Sequence, residues 1–173
     1  MAGYNYEEFQ KEIGILYPRL HRVLAAYLAG SNIDPQDILQ ETFLKACKNL
    51  ERFNGESGLY TWLYSIGRNL CIDEFRKQKK EKNLSNIPVE NYELESDQFT
   101  TEAEKEEIIL LRKAIAELPE QFREVVIMKS IDGMSFPEMA EITGINEQTL
   151  KNRMFRSRKM LAESLRRMGV HKP

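Results

Sequence analysis

Apolar residues recur three and four positions apart along most of this chain, the spacing of one helical face, and no long segment alternates strictly between apolar and polar. The pattern predicts an all-α protein with no sheet. From Tyr4 to about Leu28, the residues Phe9, Ile13, Leu16, Leu20, Val23 and Leu24 fall on one side, with an interruption near Pro18 and an end at Gly30. Asp34 and Pro35, a cap followed by a first-turn proline, open a second helix that runs to about Leu50. Its stripe is Ile38, Phe43 or Leu39, Ala46, Cys47 and Leu50. Asn54 to Gly58 reads as a turn, and a third helix begins near Leu59 and reaches the run Arg76 to Lys82. Periodicity disappears over residues 83 to 100 and returns for Thr101 to Leu118 and, after Pro119, for Glu120 to Ile131, with Asp132 and Gly133 as the stop. Two small helical domains follow, residues 1–82 and 108–173, joined by segment 83–107, which runs into the first helix of the second domain. Fully extended, that segment spans at most about 80 to 90 Å.

Residues 135 to 161, SFPEMAEITGINEQTLKNRMFRSRKML, predict two further helices joined by a tight turn. Ser135 and Glu138 have the spacing of a reciprocal cap, and Pro137 fits only a first turn. Gly144 stands where a left-handed backbone reverses the chain, and Asn146 or Thr149 can cap the next helix. In that helix Leu150, Met154, Leu161 and Leu165 form the apolar stripe, which leaves Lys151, Asn152, Phe155, Arg156 and Lys159 on the other side. A helix that pushes such a face into the major groove is the helix-turn-helix solution to reading double-stranded DNA. A helical hairpin with a solvated basic face is the plainer alternative.

A net charge of −2 over 173 residues argues against nucleic acid only if the charge is evenly spread. It is not: residues 1–82 sum to +1, residues 83–107 to −7, and residues 108–173 to +4. The acidic segment conceals a basic carboxy-terminal module. Cys47 and Cys71 both fall at positions that look apolar, as buried free thiols. The amino terminus lacks an export signal and there is no run of 18 apolar residues, so the expected location is the cytoplasm, without membrane insertion. With two histidines and no paired Cys-x-x-Cys, glycine-rich phosphate loop or nucleophile elbow, no metal, no cofactor and no enzymatic activity are expected.

Residues 37 to 77, DILQETFLKACKNLERFNGESGLYTWLYSIGRNLCIDEFRK, resemble the second conserved domain of bacterial sigma factors, and LPEQFREVV with the helix-turn-helix resembles their fourth. With these two domains alone, the chain resembles the extracytoplasmic-function group of that family. The resemblance implies a dissociable subunit that binds core RNA polymerase, directs it to promoter DNA and helps melt the duplex. An anti-sigma partner is a further implication. A stand-alone helix-turn-helix regulator that needs no polymerase is the alternative function.

On the second helix Asp37, Gln40, Glu41 and Lys45 share a polar face by their spacing. The resemblance assigns Asp37, Gln40 and Glu41 to the core polymerase; otherwise they make an ordinary solvated face. It likewise makes the turn Arg52 to Gly58 the loop that takes a flipped base of the minus-ten element, with Arg52, Asn54, Gly55, Glu56 and Ser57 around it. A plain interhelical turn suits the same residues. Tyr60, Trp62 and Tyr64 cluster at the start of the third helix, followed by Arg68, Asn69 and Arg76, and aromatics can stack on bases exposed by melting while basic side chains hold phosphates. Trp62 and Asn69 resemble a tryptophan and an asparagine of the family beside the melted strand, while Trp62 and Tyr64 serve equally well as core. Leu63 replaces a second tryptophan of primary sigma factors, which implies weaker melting and dependence on good promoter sequences.

For the minus-thirty-five element the resemblance aims Lys151, Asn152, Phe155 and Arg156 at bases and Thr149, Arg153 and Arg158 at phosphates. Phe155 can instead pack on the preceding helix. Gln148 and Asn152 depart from a frequent glycine and serine, so base preference does not transfer. The acidic residues Glu90, Glu93, Glu95, Asp97 and Glu102 resemble the family's connector, a mimic of nucleic acid or a mere tether.

Overall fold

A helix needs an apolar stripe to bury and a signal at each end, and the computed structural model, which describes residues 6–29, 31–53, 55–82 and 102–170, follows both. Gly30, Asn54 and most of the connecting segment, residues 83–101, lie outside the described residues, as does the acidic run from Glu90 to Asp97. Among the described residues there is no strand. The helices divide into two compact units, one made chiefly of residues 1–28 and 33–89 and the other chiefly of residues 90–173.

The first unit contains α1 (Tyr6–Tyr27), α2 (Pro35–Lys48), a single 3-10 turn (Leu50–Arg52) and α3 (Leu59–Lys82). α1 runs unbroken through Pro18, against the expected interruption. An interior proline costs about 3 kcal/mol, but Leu20, Val23 and Leu24 beyond it are almost wholly buried, and at about 1.5 to 3 kcal/mol each their burial outweighs it. α2 starts as expected: Asp34 accepts a hydrogen bond from the backbone N–H of Gln36 at 2.8 Å, and Pro35 occupies the first turn. Its buried stripe is Pro35, Ile38, Leu39, Thr42 and Ala46, so Leu39 rather than Phe43 is core. Thr42 tolerates burial because its hydroxyl donates to the carbonyl of Ile38 at 2.7 Å.

Cys47 is exposed, contrary to the expected buried pair of thiols. One position past Ala46 it has turned about 100° away from the stripe. Cys71 is buried, and burial pushes its thiol up to about 12. Gly67 sits where α3 meets α1 and α2: a Cβ there would lie 2.9 Å from a methyl of Leu24 and 3.1 Å from the hydroxyl of Thr42. Only glycine permits that approach without displacement.

The second unit contains α4 (Glu102–Glu117), α5 (Glu120–Val126), a π-helical turn (Ile127–Ile131), α6 (Phe136–Thr143) and α7 (Glu147–Arg167). The helix expected to reach Ile131 does so only by widening its last turn, with the N–H of Asp132 donating to the carbonyl of Ile127 at 3.0 Å. Gly133, at φ +77°, then reverses the chain. On α7 the expected stripe is half right. Leu150 and Met154 are buried, Leu161 and Leu165 are only partly covered, and the remaining central positions are Ser157 and Ser164. Small side chains let α7 lie close to α4 and α5, and each hydroxyl is satisfied: Ser157 donates to the carbonyls of Phe122 at 3.1 Å and Arg153 at 2.7 Å, Ser164 to the carboxylate of Glu117 at 2.5 Å.

Candidate nucleic-acid and polymerase interfaces

The reciprocal cap at α6 is formed as its spacing implies. The Ser135 hydroxyl accepts from the N–H of Glu138, and the Glu138 carboxylate accepts from the N–H of Ser135 at 2.7 Å. Gly144 takes φ +70° and donates its N–H to the carbonyl of Ala140, and Asn146 rather than Thr149 caps α7, accepting from the N–H of Thr149 at 2.9 Å. These contacts fix how α7 leaves the turn. Burial of Leu150, Met154, Ser157 and Ser164 on one side puts Lys151, Asn152, Phe155, Arg156, Arg158 and Lys159 in solvent, with Thr149 and Arg153 at the margins.

Phe155 is 61% exposed, which decides against packing on the preceding helix, and Lys159 holds its ammonium 4.6 Å from the ring centroid. Lys151 pairs with Glu147 at 3.4 Å and also lies over the ring of Phe136, 5.6 Å from its centroid. Lys129, on the π-helical turn, approaches the same ring at 5.2 Å while donating to the carbonyl of Met134. Sequence reasoning missed Lys129 and Phe136, because a π-turn gives no periodic signal that would place a lysine beside the next helix. The result is a surface of cations and one bare aromatic ring, suited to phosphates and base edges.

In the first unit the structure separates the aromatic cluster. Tyr64 is 1% exposed and shares a 3.1 Å hydrogen bond with the hydroxyl of Tyr27, so it belongs to the core. Leu63 is wholly buried. Tyr60 lies under the guanidinium of Arg19, 3.8 Å from the ring centroid. Trp62 is half-buried against Phe53, ring centroids 4.9 Å apart, and its backbone N–H donates to the carbonyl of Gly58 at 3.1 Å. That pair ties the end of the turn to the start of α3.

Within the turn Gly55 adopts φ +74° with open space around it, Arg52 and Glu56 are exposed, and Ser57 is half-buried. Successive 100° steps along α3 align Trp62, Asn69 and Arg76 on its outward side. Arg68 points elsewhere but reaches across, donating to the carbonyl oxygen of the Asn69 side chain at 3.2 Å. Arg76 is exposed and pairs with Asp73 at 3.7 Å.

Asp37, Gln40 and Glu41 are all exposed on one face of α2, and Glu41 pairs with Lys45 at 3.3 Å. Leu44 lies on the same face at 60% exposure. This apolar side chain, one turn beyond two carboxylates, was not singled out from the sequence.

Comparison with known proteins agrees with both units. The family model for sigma-70 region 2 matches residues 13–81 and that for sigma-70 region 4 matches residues 108–161. The ECF RNA polymerase sigma factor SigW of Bacillus subtilis is 31% identical over 160 residues, covering 87% of this chain and 83% of its own. The chain belongs to the ECF sigma factors. The sigma-E factor of Haemophilus influenzae is 28% identical over 171 residues, covering 90% of this chain and 88% of its own. Among solved structures, the sigma factor RpoE of Bartonella quintana, crystallised with the anti-sigma factor NepR, has a TM-score of 0.78 at 26% identity, covering 92% of this chain and 98% of its own.

As a sigma factor the protein binds core RNA polymerase and directs promoter-specific transcription initiation. The stand-alone regulator is not favoured, because it leaves the region 2 match without a role. Sigma factors are DNA-binding initiation factors. Among the described residues no helix is long and apolar enough to cross a membrane.

Proposed function

We propose that the initiation function is divided by unit. Residues 1–82 act as sigma domain 2, which docks on the core polymerase and holds opened DNA, and residues 108–173 act as sigma domain 4, which grips intact duplex upstream. The acidic segment 83–107 tethers them. On α2, Asp37, Gln40 and Glu41 make the polymerase contact, with Leu44 as an apolar anchor among them; two carboxylates beside a bare leucine fit a partner helix that is basic and apolar.

Arg52, Asn54, Gly55, Glu56 and Ser57 offer backbone and short polar groups to a base flipped from the minus-ten element. Trp62, Arg68, Asn69 and Arg76 hold the neighbouring strand. Lys151, Asn152, Phe155 and Arg156 face base edges of the minus-thirty-five element, and Thr149, Arg153 and Arg158 its phosphates, with Lys129 a further cation beside them. The chain works in the cytoplasm without catalysis of its own, and an anti-sigma protein restrains it, as NepR accompanies the similar RpoE.

The outward face of α7 carries this reading: four cations and an exposed aromatic ring within nine residues, on a helix whose other side buries Leu150, Met154, Ser157 and Ser164. The assignment of α2 is tested by Asp37→Lys with Glu41→Lys. Binding to core polymerase is expected to weaken at least tenfold while the affinity of α7 for upstream duplex is unchanged. Unaltered core binding would remove this face from the interface.

A further inference from the structure

Gln148 is absent from the reading set above. It is the second residue of α7 after the Asn146 cap and is exposed, and the helical step puts it opposite buried Ser157, in line with Asn152, Phe155 and Lys159. Its amide Nε2 donates to the side-chain oxygen of Asn152 at 3.3 Å, one turn further along. That bond consumes one donor and one lone pair. The linked amides therefore still present the Gln148 oxygen as acceptor and the Asn152 nitrogen as donor. Turning both amides reverses the bond and leaves the same pair of functions outward. Lys151, on the adjoining strip, is partly neutralised by Glu147, so the first turn of α7 is a polar, directional surface rather than a purely cationic one.

The first turns of a recognition helix are the part that meets base edges. In the major groove adenine shows an acceptor, N7, beside a donor, N6, and a neutral amide is the side-chain group that answers both. A second amide tied to the first restricts the long glutamine side chain before DNA arrives and lowers the ordering cost of the contact. We propose that Gln148 reads a base in this protein, coupled to Asn152 as one donor and acceptor head that selects adenine at a position in the upstream promoter element. This rests on the placement of α7 in the major groove proposed above.

The test is selection by the full-length protein, assembled with core RNA polymerase, from promoters randomised across the upstream element, followed by sequencing of the retained DNA. The wild type is expected to enrich adenine at one position, and Gln148→Ala to lower that preference about five- to a hundredfold there and nowhere else. Gln148→Glu is expected to shift the preference toward cytosine, whose N4 donates to a carboxylate. If the two amides act as one unit, Gln148→Ala with Asn152→Ala loses scarcely more than either change alone. Gln148 is exposed, so these variants fold. A Gln148→Ala protein that keeps every preference, while Arg156→Ala alters one, would overturn the role of Gln148 and leave the groove placement standing. If neither variant changes any position, the groove placement itself fails, and this inference with it.

Discussion

The outward faces of α3 and α7, both proposed above to meet DNA, are built differently. α7 spends nearly every outward position from Lys151 to Lys159 on a cation, an amide or a bare aromatic ring, and its capped start is held rigidly by the turn before it. α3 and the turn before it offer Trp62 leaning on Phe53, Gly55 in a left-handed conformation, and cations at Arg68 and Arg76 engaged with Asn69 and Asp73. Charge density suits intact duplex, where phosphates are dense and base edges lie deep in a groove. Shape, stacking and backbone suit a separated strand, whose bases are already accessible.

The largest effect that would break this contrast lies under α3. Gly67→Val drives atoms into Leu24 and Thr42 and is expected to destabilise the first unit by about 3 kcal/mol. Trp62, the single tryptophan, reports that unfolding by fluorescence in denaturant. Loss of promoter opening with upstream duplex affinity retained would separate the two faces; equal loss of both would merge them. Next in size, Arg156→Ala is expected to cost about 1 to 3 kcal/mol on the preferred upstream duplex. Arg153→Ala with Arg158→Ala is expected to weaken binding on all sequences and reduce the salt slope by about 2. Titration of each variant against two duplexes at several salt concentrations distinguishes base from phosphate.

A smaller loss, about 1 kcal/mol, is expected for Ser135→Ala, which removes one side of the α6 cap; thermal unfolding of the second unit measures it. The cysteines give the finest distinction. Cys47 is expected to react with a thiol reagent in the native protein at neutral pH, and Cys71 only on unfolding. With the Cys71 thiol raised to about 12, against about 8.5 in an unfolded chain, its contribution to stability is intact below about pH 8.5 and is lost as pH rises toward 12. Denaturation midpoints across that alkaline range, compared with a Cys71→Ala variant, measure it.

Signals confined to a few neighbouring residues were legible in the sequence. Asp34 with Pro35, Ser135 with Glu138, and Gly144 act through contacts within one turn of themselves, and each behaves as its spacing implies. Signals that depend on a distant partner were not. Nothing near Ser157 or Ser164 announces that Phe122 and Glu117 will accept their protons and make them core. Pro18 reads as a break until the burial of the residues beyond it is weighed, and Cys47 reads as core because stripes have edges that a list of apolar residues does not draw. On the outward side of α7, exposure of Phe155 followed only from knowing what the other side buries. Gln148 and Asn152 stand four residues apart, but spacing alone does not say that their amides are bonded to each other.

Gly67 has a mechanical consequence beyond packing. α3 is a rod of 24 residues that meets α1 and α2 at this bare position, with Trp62 roughly 7 Å to one side and Arg76 roughly 13 Å to the other along the axis. A side chain that pried α3 off Leu24 and Thr42 would tilt the whole rod, carrying its two ends in opposite directions over the helices beneath, the longer arm the farther, so one contact distance sets where both the aromatic tip and the charged tail stand.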